Sequence, residues 1–478
     1  MRRSPLHLLP LCFLITDAGA QEGRPRPRAD QRWATFERDP HAVVSPVSIT
    51  DAANEADVAV GDLDRDGDLD VIVARKEPFI TAGGRTNVLL MNEDGRLVDR
   101  SWALASASDL AGDRGFMTET NDRDVQVADI DRDGWLDVVT AVELSPGKPK
   151  ALSHPRVYRN LGRSAGAWLG LRHEDARIPE LKHLDSGASL ELRFTTVAAG
   201  DLDGDGDVDL YFGDHDIVPK DGGDPEMEKP DADSDDRLLL NDGKGYFTDA
   251  SATHASAEVR KSVFCNSVAI VDIDGDELND IVKQTSYERP SVAYVAFNDK
   301  SDPGHFMNRS VFYEGRPYFI TPGDLNGDGR SDVVLSENGL DRHVYNLSGE
   351  EGAVRWSEPK AFEFMFGEDD RFAGNSVVAD LDGDGWNDVI VTDVDPEIPD
   401  YSRRTHIYHN RGGTKGGDDI VMREERERKS EGGWIGVVGM NADDLIGAHD
   451  VAVLDLDGDG KLDMVFFRLA GVDVWRQQ

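Results

Sequence analysis

Along most of this chain, short apolar runs rich in β-branched and aromatic residues alternate with polar, glycine-containing turns, a spacing that predicts strands rather than helices. The clearest unit is a pair of runs around an acidic stretch. Val58-Ala59-Val60-Gly61 enters the first such stretch and Val71-Ile72-Val73-Ala74 leaves it; Val451-Ala452-Val453-Leu454 and Met464-Val465-Phe466-Phe467 bracket the last. Each pair predicts a hairpin with a long turn. Further along, a third run often ends in Asn and a glycine turn leads to a fourth, as in Leu238-Leu239-Leu240-Asn241-Asp242-Gly243 followed by Tyr246-Phe247. Four strands per repeat is the count of a β-propeller blade.

The acidic stretches share the pattern D-x-D/N-x-D-x-x-x-D, starting at Asp62, Asp129, Asp201, Asp272, Asp324, Asp380 and Asp455. Successive starts lie 67, 72, 71, 52, 56 and 75 residues apart, enough for one four-stranded sheet each and too uneven for a tight solenoid. The expected fold is therefore all-β, a seven-bladed propeller over residues 32–478. The seventh repeat ends at Val472-Asp473-Val474-Trp475, where a third strand belongs, while Trp33-Ala34-Thr35-Phe36-Glu37 stands alone before the first repeat. That amino-terminal segment is expected to supply the missing fourth strand and close the ring, removing an exposed sheet edge.

Spacing of the aspartates points to chemistry. Oxygen ligands at loop positions 1, 3, 5 and 9 can converge on a hard divalent cation if the backbone curls round it. The candidate ligand sets are Asp62, Asp64, Asp66 and Asp70; Asp129, Asp131, Asp133 and Asp137; Asp201, Asp203, Asp205 and Asp209; Asp272, Asp274, Asp276 and Asp280; Asp324, Asn326, Asp328 and Asp332; Asp380, Asp382, Asp384 and Asp388; and Asp455, Asp457, Asp459 and Asp463. Position 7 varies freely, from Asp68 to Trp135, Leu278 and Lys461, which fits a backbone carbonyl ligand there. Position 6 is Gly67, Gly134, Gly206, Gly329, Gly385 and Gly460, suiting a sharp turn, but Glu277 in the fourth loop, which predicts the weakest site or a differently bent one. An EF-hand is excluded, because its loop needs Glu at position 12, where the first two loops have Val73 and Thr140. Several carboxylates within nine residues repel one another without a cation. Up to seven Ca²⁺ ions are expected, structural in role.

Ninety-three acidic against 52 basic residues give a net charge of −41, which disfavours nucleic acid and anionic lipid as partners. Arg2 and Arg3, an apolar run from Leu8 to Ile15 and Ala18-Gly19-Ala20 have the form of a cleavable signal peptide over residues 1–20, with a flexible leader at 21–31. Secretion, to the periplasm, cell surface or medium, is the expectation, without a transmembrane segment and as a monomer. Without Cys12, Cys265 has no partner for a disulfide and reads as a small packed residue.

Taken together, the seven in-phase loops resemble the FG-GAP or VCBS-type repeat family, which includes the integrin α-subunit propeller and many exported bacterial proteins. The resemblance implies a seven-bladed propeller with each calcium loop between the first two strands of a blade, all on one face. It implies no single activity: several members serve adhesion or ligand recognition, and some carbohydrate lyases use similar propellers. A recognition or adhesion module for an extracellular glycan or protein is expected, with a polysaccharide lyase or another carbohydrate-active enzyme as the alternative. The ligand surface is expected on the opposite face, in residues 214–236 and 393–404, with Phe79, His154, Tyr287 and Arg289 at corresponding places and His154, His215 and His406 as candidate bases. No Ser-His-Asp, H-E-x-x-H or phosphate-loop signature is present. Asn308 and Asn346 lie in glycosylation sequons.

Overall fold

The computed structural model describes residues 33–44, 55–77, 83–143, 148–189, 192–215, 235–261, 264–285, 291–315, 317–337, 339–349, 354–363, 373–393, 404–424, 427–428, 434–435, 439–440, 447–468 and 471–478. The expected signal peptide and leader, residues 1–31, and most of the two long loops lie outside these residues.

Seven sheets of four or five strands, antiparallel apart from a parallel fifth strand in two of them, follow one another along the chain. We number the blades by their acidic loops. The first strands are Glu55–Gly61, Asp122–Ala128, Phe194–Gly200, Val268–Val271, Pro317–Gly323, Ala373–Ala379 and Ala448–Leu454. Each touches the first strand of the next blade, and the last touches the first, so seven strands ring a central axis. This is a seven-bladed β-propeller.

The second strands are nearly all buried; Asp70–Lys76, Asp137–Val142 and Asp332–Glu337 have every residue enclosed. A strand packed on both faces needs no polar alternation, which is why these segments read as unbroken apolar runs. Apolar side chains collect into seven main clusters, one at each seam. Ile72, Leu89 and Leu63 of blade one meet Val125, Val138 and Tyr158 of blade two, and Val60, Val71 and Leu90 of blade one meet Ala452, Val465 and Phe467 of blade seven. Each fully buried aliphatic side chain stabilises its seam by roughly 1.5–3 kcal/mol. Cys265 is fully buried and carries no disulfide.

At the closing blade, Phe36–Arg38 pairs antiparallel with Gly471–Gln477, matching Phe36 with Gln477 and Arg38 with Trp475. The strand starts three residues later than the apolar pattern suggested, and Trp33 and Ala34 pack into the cluster between blades six and seven. Two blades exceed four strands. Val43–Val44 adds to blade one in parallel with Leu97 and Val98, and Ala107–Ser108 adds to blade two in parallel with Arg172 and His173.

Candidate metal centres

The loops repeat one hydrogen-bonding scheme. Position 1 accepts from the backbone ahead of it: Asp62 takes the amides of Asp66 at 3.1 Å and Gly67 at 3.2 Å, and Asp201 takes those of Gly204 at 2.7 Å and Gly206 at 2.9 Å. Position 5 accepts from position 7, as Asp133 does from Trp135 at 2.9 Å. The chain thus winds round a carboxylate-lined centre. Position 6 sits at positive φ throughout, from 83° at Gly329 to 103° at Gly67. Glu277 adopts the same conformation at 75° and donates its amide to Asp272 at 3.0 Å, so the fourth loop bends like the others, contrary to the bent-differently expectation, and carries local strain instead.

The position-9 aspartates do more than close a ligand shell. In every loop one oxygen accepts the position-2 amide and the other accepts the amide of an Asn or Gln that ends the third strand. Asp70 takes Leu63 at 3.1 Å and Asn92 at 2.9 Å; Asp332 takes Leu325 at 2.8 Å and Asn346 at 2.7 Å. The Asn or Gln side chain then crosses the seam to the preceding blade's position-2 carbonyl. Asn92 donates to Leu456, Asn160 to Leu63, Asn241 to Ile130, Asn298 to Leu202, Asn346 to Ile273, Asn410 to Leu325 and Gln477 to Leu381, at 2.7 to 3.0 Å. Seven amide clasps therefore tie each loop to the next blade. The sequence signal was the Asn closing each third run; its acceptor, supplied by another blade, left no local trace. Asn346 is consumed by its clasp and fully buried, so its sequon is not a glycosylation site in the folded chain, whereas Asn308 is exposed.

Burial raises these carboxylates. Asp70, Asp209, Asp280 and Asp332 are each pushed up to about 8, chiefly by loss of solvent, with like-charged neighbours in the loop adding to the rise. Asp137, Asp388 and Asp463 move the same way for the same first reason. Sets of carboxylate oxygens approach one another closely enough to share an ion: Asp62, Asp64 and Asp66; Asp129, Asp131 and Asp137; Asp201, Asp203 and Asp209; and Asp272, Asp274 and Asp276 each lie within 4.8 Å. Several buried atoms in these loops lack a hydrogen-bond partner. Among them are one oxygen each of Asp129, Asp131, Asp207 and Asp274, and both side-chain amide atoms of the fully buried Asn326.

The loops differ in what the third strand sends toward them. The residue just before the clasp is Met91, Arg159, Leu240, Phe297, Tyr345, His409 and Arg476 in blades one to seven. Arg159 grips the outer oxygens of Asp131 at 2.6 Å and Asp133 at 2.9 Å, and Arg177 adds a contact to Asp131 at 3.2 Å. Arg476 reaches Asp463 at 3.0 Å and Asp457 at 3.8 Å.

Residues 324–391, running from the first aspartate of loop five to the second strand of blade six, match the family model described as FG-GAP-like repeat. That one match, set in a ring of seven blades, supports the FG-GAP propeller family for this chain. Among solved structures, similar ones include an Agrocybe aegerita lectin described as recognising non-reducing terminal N-acetylglucosamine (17% identity, 77% of this chain and 80% of that chain covered, TM-score 0.44). Another is BBS1N in complex with ARL6DN (11% identity, 93% and 96% covered, TM-score 0.46). No curated protein matches the sequence.

Elsewhere in the propeller, the three candidate bases are committed to structure. His154 is buried, takes the Leu181 amide on Nε2 at 3.0 Å, and is pushed down to about 4 by loss of solvent. His215 is buried against Glu143 at 2.8 Å, and His406 against Glu424 at 3.1 Å. The expectation of solvent-facing histidines on a ligand surface is corrected for these three; Phe79, Tyr287 and Arg289 lie outside the described residues. So do residues 216–234 and 394–403, although the base of the first excursion is pinned where the Asp214 amide donates to Asp236 at 2.8 Å. At the strand ends away from the loops, a small nook of about 10 Å³, with room for little more than one water, lies between blades one and seven, lined by Ala56, Val73, Val88, Phe467, Arg75 and Arg468 among others. Among the described residues no helix is long and apolar enough to cross a membrane.

Proposed function

We propose that this protein is an exported recognition or adhesion module whose acidic loops bind structural Ca²⁺ and whose opposite face receives a glycan or protein ligand. A propeller of FG-GAP repeats fits a recognition module in general. The observation that carries the cation is Asn326, fully buried at position 3 of loop five with neither amide atom hydrogen-bonded, among carboxylates at the other ligand positions. Leaving a buried polar group unsatisfied costs about 1–3 kcal/mol. An oxygen-seeking cation at the loop centre would engage its Oδ1 and offset that cost.

All-oxygen donors in a flexible loop suit calcium, and the raised carboxylates fit the same picture, since a divalent ion would hold them ionised. Seven ions would bring the formal charge from −41 to about −27. Extracellular calcium modules of this type bind at about 10⁻⁴ to 10⁻³ M, so the loops would fill after export and couple folding to it. We assign ligand recognition to the face away from the loops, because loops on a rigid scaffold commonly carry function and two long connections, residues 214–236 and 393–404, join second to third strands there.

The test is thermal unfolding of the protein in excess EGTA and in millimolar Ca²⁺, with bound ions counted by native mass spectrometry. Several ions and a large calcium-dependent rise in melting temperature are expected; no bound calcium and no shift would sink the cation reading. Replacing residues 216–234 with a short Gly-Ser turn, screened against the wild type on glycans and peptides, should lose binding, and retained binding would move the ligand elsewhere.

A further inference from the structure

Loop six receives a donor of a different chemical class from its third strand. In blades one, three, four and five the residue before the clasp is Met91, Leu240, Phe297 or Tyr345, and in blades two and seven it is an arginine, which carries no lone pair for a metal. In blade six it is His409. We propose that Asp382, Asp384 and His409 form a site for a borderline first-row divalent cation of the zinc class, set apart from the oxygen-only loops around it. This rests on the reading that the loops are cation sites.

Three observations carry it. First, ligand atoms of Asp382, Asp384 and His409 all lie within 4.8 Å of one another. Second, His409 Nε2 stands 3.3 Å from Asp382 Oδ2. Two donors at zinc bond lengths of roughly 2.0–2.1 Å, held at a tetrahedral angle, are themselves about 3.3 Å apart. Third, the imidazole is held in plane by Trp33, whose ring stacks on it with centroids 4.6 Å apart and 6° between planes. A fixed ring keeps the nitrogen aimed at the carboxylates without further loss of side-chain freedom.

The donor set decides the ion. Calcium and magnesium select oxygen, whereas imidazole with carboxylate suits zinc and its first-row neighbours. Asp382 and His409 are both shielded, with 8% and 14% of their side chains exposed, so an ion there would be held largely out of bulk water. The competing account of the same geometry is a plain imidazole–carboxylate contact, in which His409 serves only as counter-charge to the loop.

Native mass spectrometry of the full chain separates the two, using millimolar Ca²⁺ with one equivalent of Zn²⁺, and Co²⁺ as an optical probe. We expect one zinc retained per chain beside the calcium ions and a cobalt visible spectrum showing nitrogen ligation. His409→Phe and His409→Tyr place in blade six the residues that blades four and five already carry there, so folding should survive. Each should weaken zinc binding by on the order of 100-fold, while Asp66→Asn in loop one should leave zinc untouched. No zinc in the wild type, or equal zinc in the His409 variants, would overturn the proposal. Calcium counted without zinc sinks this inference alone; zinc without calcium sinks the calcium reading and leaves the loop-six site standing.

Discussion

Position 6 of the loops shows what a single residue decides. Six loops place glycine there at positive φ, where a side chain would strain the backbone; the fourth places Glu277 in the same conformation at 75°. Glu277→Gly should therefore stabilise the protein by about 1 kcal/mol, read as a higher urea midpoint at fixed calcium, because it removes left-handed strain without deleting a contact that holds the loop. An unchanged or lower midpoint would mean that the glutamate contributes something the backbone does not reveal. The positions of the aspartates and glycines were legible in the sequence because they recur at fixed short offsets. The second role of position 9 was not, since Asp137 looks the same whether it faces an ion or latches the amides of Ile130 at 3.2 Å and Asn160 at 2.6 Å.

At the scale of the element, the unit is a hairpin, its loop and the clasp amide from the third strand. Asn241 donates its amide to Ile130 of the preceding blade and to Val208 of its own, both at 2.8 Å. Asn241→Ala leaves two carbonyls short of a donor and should cost about 1–3 kcal/mol in equilibrium unfolding, with the deficit appearing in calcium and in EGTA alike. A loss confined to calcium-loaded protein would instead make the clasp an accessory of the ion. The clasps escaped the sequence reading because each joins residues far apart in the chain, 364 positions for Asn92 and Leu456.

The loop carboxylates also set a pH dependence. Asp70, Asp209, Asp280 and Asp332 have folded values near 8, above the ordinary value of 3.8 that the unfolded chain keeps. The cation-free folded state then binds more protons than the unfolded state between those values, so its stability is greatest below about pH 4 from these groups and is lost as pH rises through about 8. Melting in EGTA should accordingly fall from about pH 5 to about pH 8.5. Saturating calcium should flatten or reverse that slope, because an ion favours the ionised loops; parallel slopes in both conditions would show that these carboxylates do not meet the cation.

For the whole molecule, stability resides in the seams rather than in any one sheet. The strand Phe36–Arg38 covers the edge of Gly471–Gln477, and Arg38 also pairs with Asp473. Deleting residues 33–38 should lower the melting temperature and drive self-association seen by size-exclusion chromatography, because a bare strand edge is a template for other chains. A monomer with unchanged melting would show that the six other seams hold the ring unaided. Blade number, strands per blade and the amino-terminal strand could be read from the sequence because each leaves an apolar run and a turn. The fifth strands of blades one and two could not: Val43–Val44 and Ala107–Ser108 are two residues long and borrow their partners from distant hairpins.

The same strand fixes the order in which the ring can be completed. Phe36–Arg38 precedes the seven acidic loops in the chain, whereas its partner Gly471–Gln477 follows them all. Six blades can assemble from consecutive stretches as they appear, but the seventh joins segments as far apart as Arg38 and Asp473, 435 positions. Any machinery that handles this protein during synthesis therefore meets an open arc, whose two free flanks stay apolar and adhesive until that pairing forms.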